Sequence, residues 1–68
     1  MEIEIRLNGE PRRLPQGSSV SELIATLELL PEQVAVERNH RLVRRSEHEA
    51  TRLEPGDEVE VVTLVGGG

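Results

Sequence analysis

The sequence predicts an α+β domain, a mixed four-stranded sheet with one main helix lying on it. Three observations carry this. The chain opens on a strictly alternating segment, Glu2-Ile3-Glu4-Ile5-Arg6-Leu7, followed by Asn8-Gly9. A helix-start signature, Ser19-Val20-Ser21-Glu22, precedes apolar residues at helical spacing. The last segment before the closing glycines alternates again, with Val59 and Val61 set between Glu58 and Glu60.

The elements follow in order. In Glu2–Leu7 the apolar residues Ile3, Ile5 and Leu7 share one face, the pattern of a half-buried strand. Asn8-Gly9 is a strong hairpin signal, because both central residues of a type I′ turn need positive φ. The return strand is expected over about residues 10–14, and Pro11 puts it at a sheet edge, since proline cannot donate to a ladder. Pro15-Gln16-Gly17 turns the chain. Ser19 and Glu22 fit a capping box, and Val20, Leu23, Ile24 and Leu27 make one apolar helix face. Pro31 disfavours helical geometry at Leu30, so the helix is expected over about residues 20–28. So short a helix is not stable alone and needs a sheet beneath it.

Residues 33–37 read as a strand with Val34 and Val36 facing alike. Arg38-Asn39-His40-Arg41 is turn-like, Leu42-Val43 is a short strand at most, and residues 44–51 read as a polar loop or a single helical turn. Pro55-Gly56-Asp57 suits a β-turn, and residues 58–64 form the last strand. This order suits a β-grasp arrangement, with the first and last strands parallel at the centre of the sheet. The expected core is Ile3, Ile5, Leu7, Leu14, Val20, Leu23, Ile24, Leu27, Val34, Val36, Leu53, Val59 and Val61. Residues 1–65 are read as the packed domain and residues 66–68 as a flexible C-terminal glycine tail.

Composition removes several function classes. Sixty-eight residues allow one domain. There is no cysteine, hence no disulfide and no thiol nucleophile. The net charge of −5 and the absence of aromatic residues argue against nucleic-acid binding. All eight basic residues are arginine, which excludes lysine Schiff-base chemistry. No apolar run approaches a membrane span and no signal peptide opens the chain, so the cytoplasm is the expected location. His40 and His48 are expected at the surface, with no ligand spacing that would imply a metal site.

Three of the six glycines occupy positions 66–68. Without β-carbons, Gly66, Gly67 and Gly68 could enter a narrow channel; an ordinary frayed terminus is the plainer alternative. The residues before them, Val62-Thr63-Leu64-Val65, are apolar on both faces. Two readings stand: a central strand buried on both sides, or an exposed strip where a partner docks. One helix covers only one sheet face, which favours docking for Val62, Leu64 and Val65. Glu58 and Glu60 point away from the Val59/Val61 face, either as a solvated surface or as contacts for arginines of a partner. Arg38, Arg41, Arg44 and Arg45 form a basic stretch, either a solvated loop or a contact with a partner or a phosphate.

The chain resembles the ubiquitin-like sulfur carrier proteins, specifically the small carrier of thiazole formation in thiamine biosynthesis. The resemblance covers essentially the whole chain. It rests on Ile5-Arg6-Leu7-Asn8-Gly9-Glu10, on Val34-Ala35-Val36-Glu37-Arg38-Asn39, and on Leu42-Val43-Arg44-Arg45-Ser46 with Glu47-His48. Leu53, Pro55-Gly56-Asp57-Glu58-Val59-Glu60-Val61-Val62 and the final Gly67-Gly68 complete it. Three features depart from the family pattern: His40 after Asn39, Arg44 where proline is frequent, and the additional Gly66.

The resemblance implies a protein co-substrate with no catalytic residues, no bound cofactor and no metal. An adenylating enzyme of the ubiquitin-activating type would use ATP to convert the Gly68 carboxylate to an acyl adenylate. A persulfide sulfur donor would turn this into a thiocarboxylate, and thiazole synthase would take the sulfur. The chemistry has a simple basis. A carboxylate with a pKa of about 3.5 is ionised at neutral pH and is a poor electrophile, whereas an adenylate carries a good leaving group. The alternatives are a sulfur carrier for molybdopterin or another acceptor, a protein modifier attached through Gly68, and an interaction module with an inert tail.

Overall fold

The computed structural model describes residues 1–64. Strand β1 (Glu2–Leu7) buries Ile3 and Ile5 and exposes Glu2, Glu4 and Arg6, as its alternation dictates. Asn8 (φ 52°) and Gly9 (φ 84°) form the tight turn, and β2 (Glu10–Pro15) returns antiparallel, with Ile3 opposite Leu14. Helix α1 (Val20–Thr26) begins at the expected capping box. The Glu22 amide donates to Ser19 Oγ at 3.1 Å, and the Ser19 amide donates to Glu22 Oε1 at 2.8 Å. A 3₁₀ turn (Pro31–Gln33) leads into β3 (Val34–Arg38) and β4 (Arg41–Val43). After a second 3₁₀ turn (Arg45–Glu47), β5 (Glu58–Thr63) closes the sheet.

The strand order is β2-β1-β5-β3-β4. β5 lies at the centre, parallel to β1 and antiparallel to β3. This is the β-grasp topology expected from the element order, with five strands in place of four. The additional strand is Arg41–Val43. Its apolar pair, Leu42-Val43, is too short to show a period, but a two-residue turn at Asn39 (φ 53°) and His40 (φ 67°) folds it onto β3 with Val43 opposite Val36.

The core holds Ile3, Ile5, Leu14, Val20, Leu23, Ile24, Val34, Val36, Val43, Leu53 and Val59. Leu7 and Val61 are half-buried against it. Val43 is an addition, placed inward because its neighbour Leu42 faces out. Leu27 is only half-buried, because α1 stops at Thr26 rather than continuing through Glu28. The helix closes in a Schellman motif: the Glu28 amide donates to the Ala25 carbonyl (3.0 Å) and the Leu29 amide to the Ile24 carbonyl (3.3 Å). Glu28 adopts φ 60°, the left-handed geometry usually given to glycine at this position. The chain therefore turns early, and Leu29 packs on the core in the role expected of Leu27.

His48 is a second correction. It is 4% exposed, not a surface residue. The segment after the second 3₁₀ turn folds back on the start of α1: the Ser21 amide donates to the His48 carbonyl (3.0 Å) and the Val20 amide to the Thr51 carbonyl (2.9 Å). His40 is exposed, 3.6 Å from the Glu58 carboxylate.

Candidate functional site: the end of the central strand

The candidate site residues converge on β5 and the positions after it. Val65, Gly66, Gly67 and Gly68, the positions expected to carry docking, threading and modification, lie outside the described residues. Their root does not. β3 holds one side of β5 from Val59 opposite Arg38 to Thr63 opposite Val34. One residue further, the Leu64 amide donates to the Gln33 carbonyl at 2.7 Å.

The other side of β5 is held by β1 only at Glu58 and Val59, opposite Arg6 and Leu7. There β1 ends at its turn, and the side chain of Asn8 takes over. The Asn8 backbone amide donates to the Val59 carbonyl (2.9 Å). Its Oδ1 accepts from the Val61 amide (2.9 Å), and its Nδ2 donates to the Val61 carbonyl (3.2 Å). A carboxamide has the same donor and acceptor as a peptide group, so one side chain extends the ladder by one rung.

The second hairpin does the same at the start of β5. The Asn39 amide donates to the Glu58 carbonyl (2.7 Å), and its Oδ1 accepts from the Glu58 amide (2.9 Å). Asn39 Nδ2 donates to Asp57 Oδ1 at 3.0 Å. Asp57 is buried, at 7% exposed, and its Oδ2 accepts from the Glu54 amide at 2.8 Å with Arg38 Nη1 at 3.4 Å. Both hairpin turns thus clamp the central strand through asparagines in positive-φ geometry. The sequence marks Asn8, Asn39 and Asp57 only as turn residues. What they grip depends on strand order, which no local pattern encodes.

Beyond Val61, β5 faces solvent. Val62 is 58% exposed and Leu64 51%, so burial on both faces does not occur. Val62 stands opposite Ala35, and Glu60 opposite Glu37, on the sheet face away from Val59 and Val61. Leu42, opposite Glu37, lies on the same face and is 65% exposed. Glu58 and Glu60 are exposed there too. The result is an exposed apolar pair, Val62 and Leu64, at the root of residues 65–68 with Glu60 and Glu58 further back along β5, while Leu42 lies two strands away across Glu37. Among the described residues no cluster of metal-ligating side chains occurs, and no helix is long and apolar enough to cross a membrane.

Comparison with known proteins agrees with this geometry. The ThiS family profile matches residues 5–68. A thiazole synthase of Magnetococcus marinus is 42% identical over 97% of this chain, which spans 20% of that protein's length. The uncharacterized ycf40 protein of Pyropia yezoensis is 39% identical, over 97% of this chain and 93% of its own. The crystal structure of a thiamine biosynthesis protein (ThiS) from Geobacter metallireducens superposes with a TM-score of 0.81 at 32% identity, covering 97% of this chain and all of that one. The solution structure of a thiamine biosynthesis protein from the same organism gives 0.80. The chain belongs to the ThiS family, the small β-grasp sulfur carriers of thiamine biosynthesis that its sequence resembles.

Proposed function

We propose that this chain carries sulfur as a thiocarboxylate on Gly68 and donates it for thiazole formation. The reading requires that the Gly68 carboxyl group be free when it reacts. An adenylating enzyme of the ubiquitin-activating type uses ATP to form the Gly68 acyl adenylate. The outer sulfur of a persulfide donor displaces AMP, forming an acyl disulfide with the donor. A second thiol attacks the donor's sulfur, which releases the Gly68 thiocarboxylate and leaves a disulfide, and thiazole synthase accepts the sulfur. The carrier contributes no catalytic side chain and binds no cofactor of its own. It acts in the cytoplasm.

The observation that supports this reading best is the placement of residues 65–68 directly after the central strand of the sheet. A root fixed at Val61 by Asn8 and at Leu64 by Gln33 gives the following residues a defined starting direction. Glycine, lacking a β-carbon, lets a partner's channel close on Gly66 and Gly67. The reacting carbon must come within ~3–3.5 Å of the attacking sulfur, so the channel has to be narrow. Val62, Leu64 and Val65 provide the apolar contact and Glu58 and Glu60 the charged one; the carboxylates orient the encounter with cationic partner residues.

The test is ATP–pyrophosphate exchange with the cognate adenylating enzyme. The full chain supports exchange, and a chain lacking Gly67 and Gly68 folds normally but supports none. Exchange undiminished by the truncation, or a truncated chain that fails to fold, contradicts the proposal.

A further inference from the structure

We propose a second interaction surface, separate from the tail: the groove beside β4 binds an extended acidic segment of a partner protein. The two edges of the sheet differ in chemistry. In β2 the Gln16 amide bonds to the Met1 carbonyl (2.8 Å), which sets the ladder so that residues 11, 13 and 15 face outward. Two of these are Pro11 and Pro15, which have no amide to offer. That edge is closed to strand addition. β4 carries no proline. Its turn pairs Arg38 with Arg41 and Val36 with Val43, so Leu42 is the rung whose amide and carbonyl point away from β3. Among the described residues neither group has another backbone partner. The next outward amide, that of Arg44, already donates to Glu47 Oε1 at 3.2 Å.

The surface beside this open rung is cationic although the chain is acidic. Arg38, Arg41, Arg44 and His40 line an open groove of about 970 Å³, in which Glu47 is the one acidic side chain. Arg38 is occupied by Asp57 and by the Arg52 carbonyl (3.1 Å). Arg41 and Arg44 are exposed and form no ion pair among the described residues.

An exposed strand edge with an exposed leucine, flanked by two unpaired arginines, suits a polypeptide in extended conformation with alternating carboxylates. Main-chain bonds give affinity and side chains give selectivity in this mode. A small phosphate would use the arginines and leave the Leu42 rung idle. A second copy of this chain does not fit: its β2 edge carries Arg13 between two prolines, and its β4 edge would set Arg41 and Arg44 against their own copies. The groove lies toward the Arg38 end of β3, whereas the tail root leaves at the Val34 end. A partner could therefore hold β4 while another encloses the tail.

The experiment is an amide NMR titration of the full chain with a capped decapeptide of alternating Glu and Val. Its Lys/Val counterpart and sodium triphosphate serve as comparisons. Saturable shifts centred on the Leu42 and Arg44 amides are expected, and they weaken as salt is raised. The double variant Arg41→Glu/Arg44→Glu should bind at least tenfold more weakly. Leu42→Pro removes the outward amide while keeping the Arg41 and Val43 bonds, and should also abolish binding; if that variant misfolds, the charge-reversal pair decides. The proposal is overturned by absence of saturable shifts at β4, by equal binding of the Lys/Val peptide, or by triphosphate reproducing the shifts and displacing the peptide.

Discussion

The Asn8 side chain pairs with Val61 as a strand residue would, accepting from its amide at 2.9 Å and donating to its carbonyl at 3.2 Å. Fifty-three residues separate the two in sequence. The contact joins the first turn of the chain to the last held rung on that side of β5. Replacing Asn8 with alanine removes both bonds and leaves a β-branch-free but non-glycine residue at φ 52°. Asn8→Ala should cost about 1–2 kcal/mol, the sum of two modest net bonds, read as a shift in the denaturant midpoint. Hydrogen exchange at the Val61 amide should accelerate more than at Val36.

Asp57 gathers three donors from separate segments, those of Asn39, Glu54 and Arg38. Its truncation leaves three partly buried donors without their common acceptor. Asp57→Ala should destabilise the protein by about 3 kcal/mol. A domain of this size holds roughly 3–10 kcal/mol in total, so thermal unfolding should shift far down or lose its cooperative transition.

Two non-glycine residues occupy left-handed geometry at positions that favour glycine: Glu28 at the helix end and His40 in the second turn. Glu28→Gly and His40→Gly should each stabilise the fold by about 0.5–1 kcal/mol, because relief of the side-chain penalty outweighs the added chain entropy. The exposed His40–Glu58 contact at 3.6 Å offers little to set against this. The sites lie in different elements, so the double variant should show the sum of the two gains in calorimetry.

Val62 and Leu64 separate docking from folding. Both are more than half exposed, so Val62→Asp and Leu64→Asp should change stability by no more than about 0.5 kcal/mol. Affinity for the adenylating enzyme should fall roughly tenfold, the equivalent of about 1.4 kcal/mol, in a titration followed by calorimetry. A collapse in melting temperature would assign these residues to the core.

The fold was legible wherever a local pattern coincides with a global one. Alternation in Glu2–Leu7, the Ser19/Glu22 box and the Asn8-Gly9 turn each specify their own element. The order of those elements leaves few topologies. What stayed hidden depends on three-dimensional neighbours. Leu42-Val43 is too short to reveal its period, so the fifth strand and the burial of Val43 were not readable. Glu28 hides a helix stop normally signalled by glycine, which displaced Leu27 in favour of Leu29. His48 is drawn inward by a return of the chain onto α1 that has no sequence signature. At the candidate site, the exposed strip at Val62 and Leu64 followed from counting one helix against two sheet faces. The asparagine clamps on β5 did not, because they require knowing which strand lies beside each turn.

The central claim, that Gly68 bears the transferred sulfur, is tested most directly by the intact mass of the protein freshly isolated from its own cells, with fragmentation to locate any change. The account predicts a species about 16 Da heavier than the chain ending in Gly68, oxygen replaced by sulfur, with the added mass confined to the Gly68 carboxyl group. Isopeptide-linked adducts at Gly68 in place of that species, or a carboxyl end that is never modified while the adenylating enzyme is active, would contradict it.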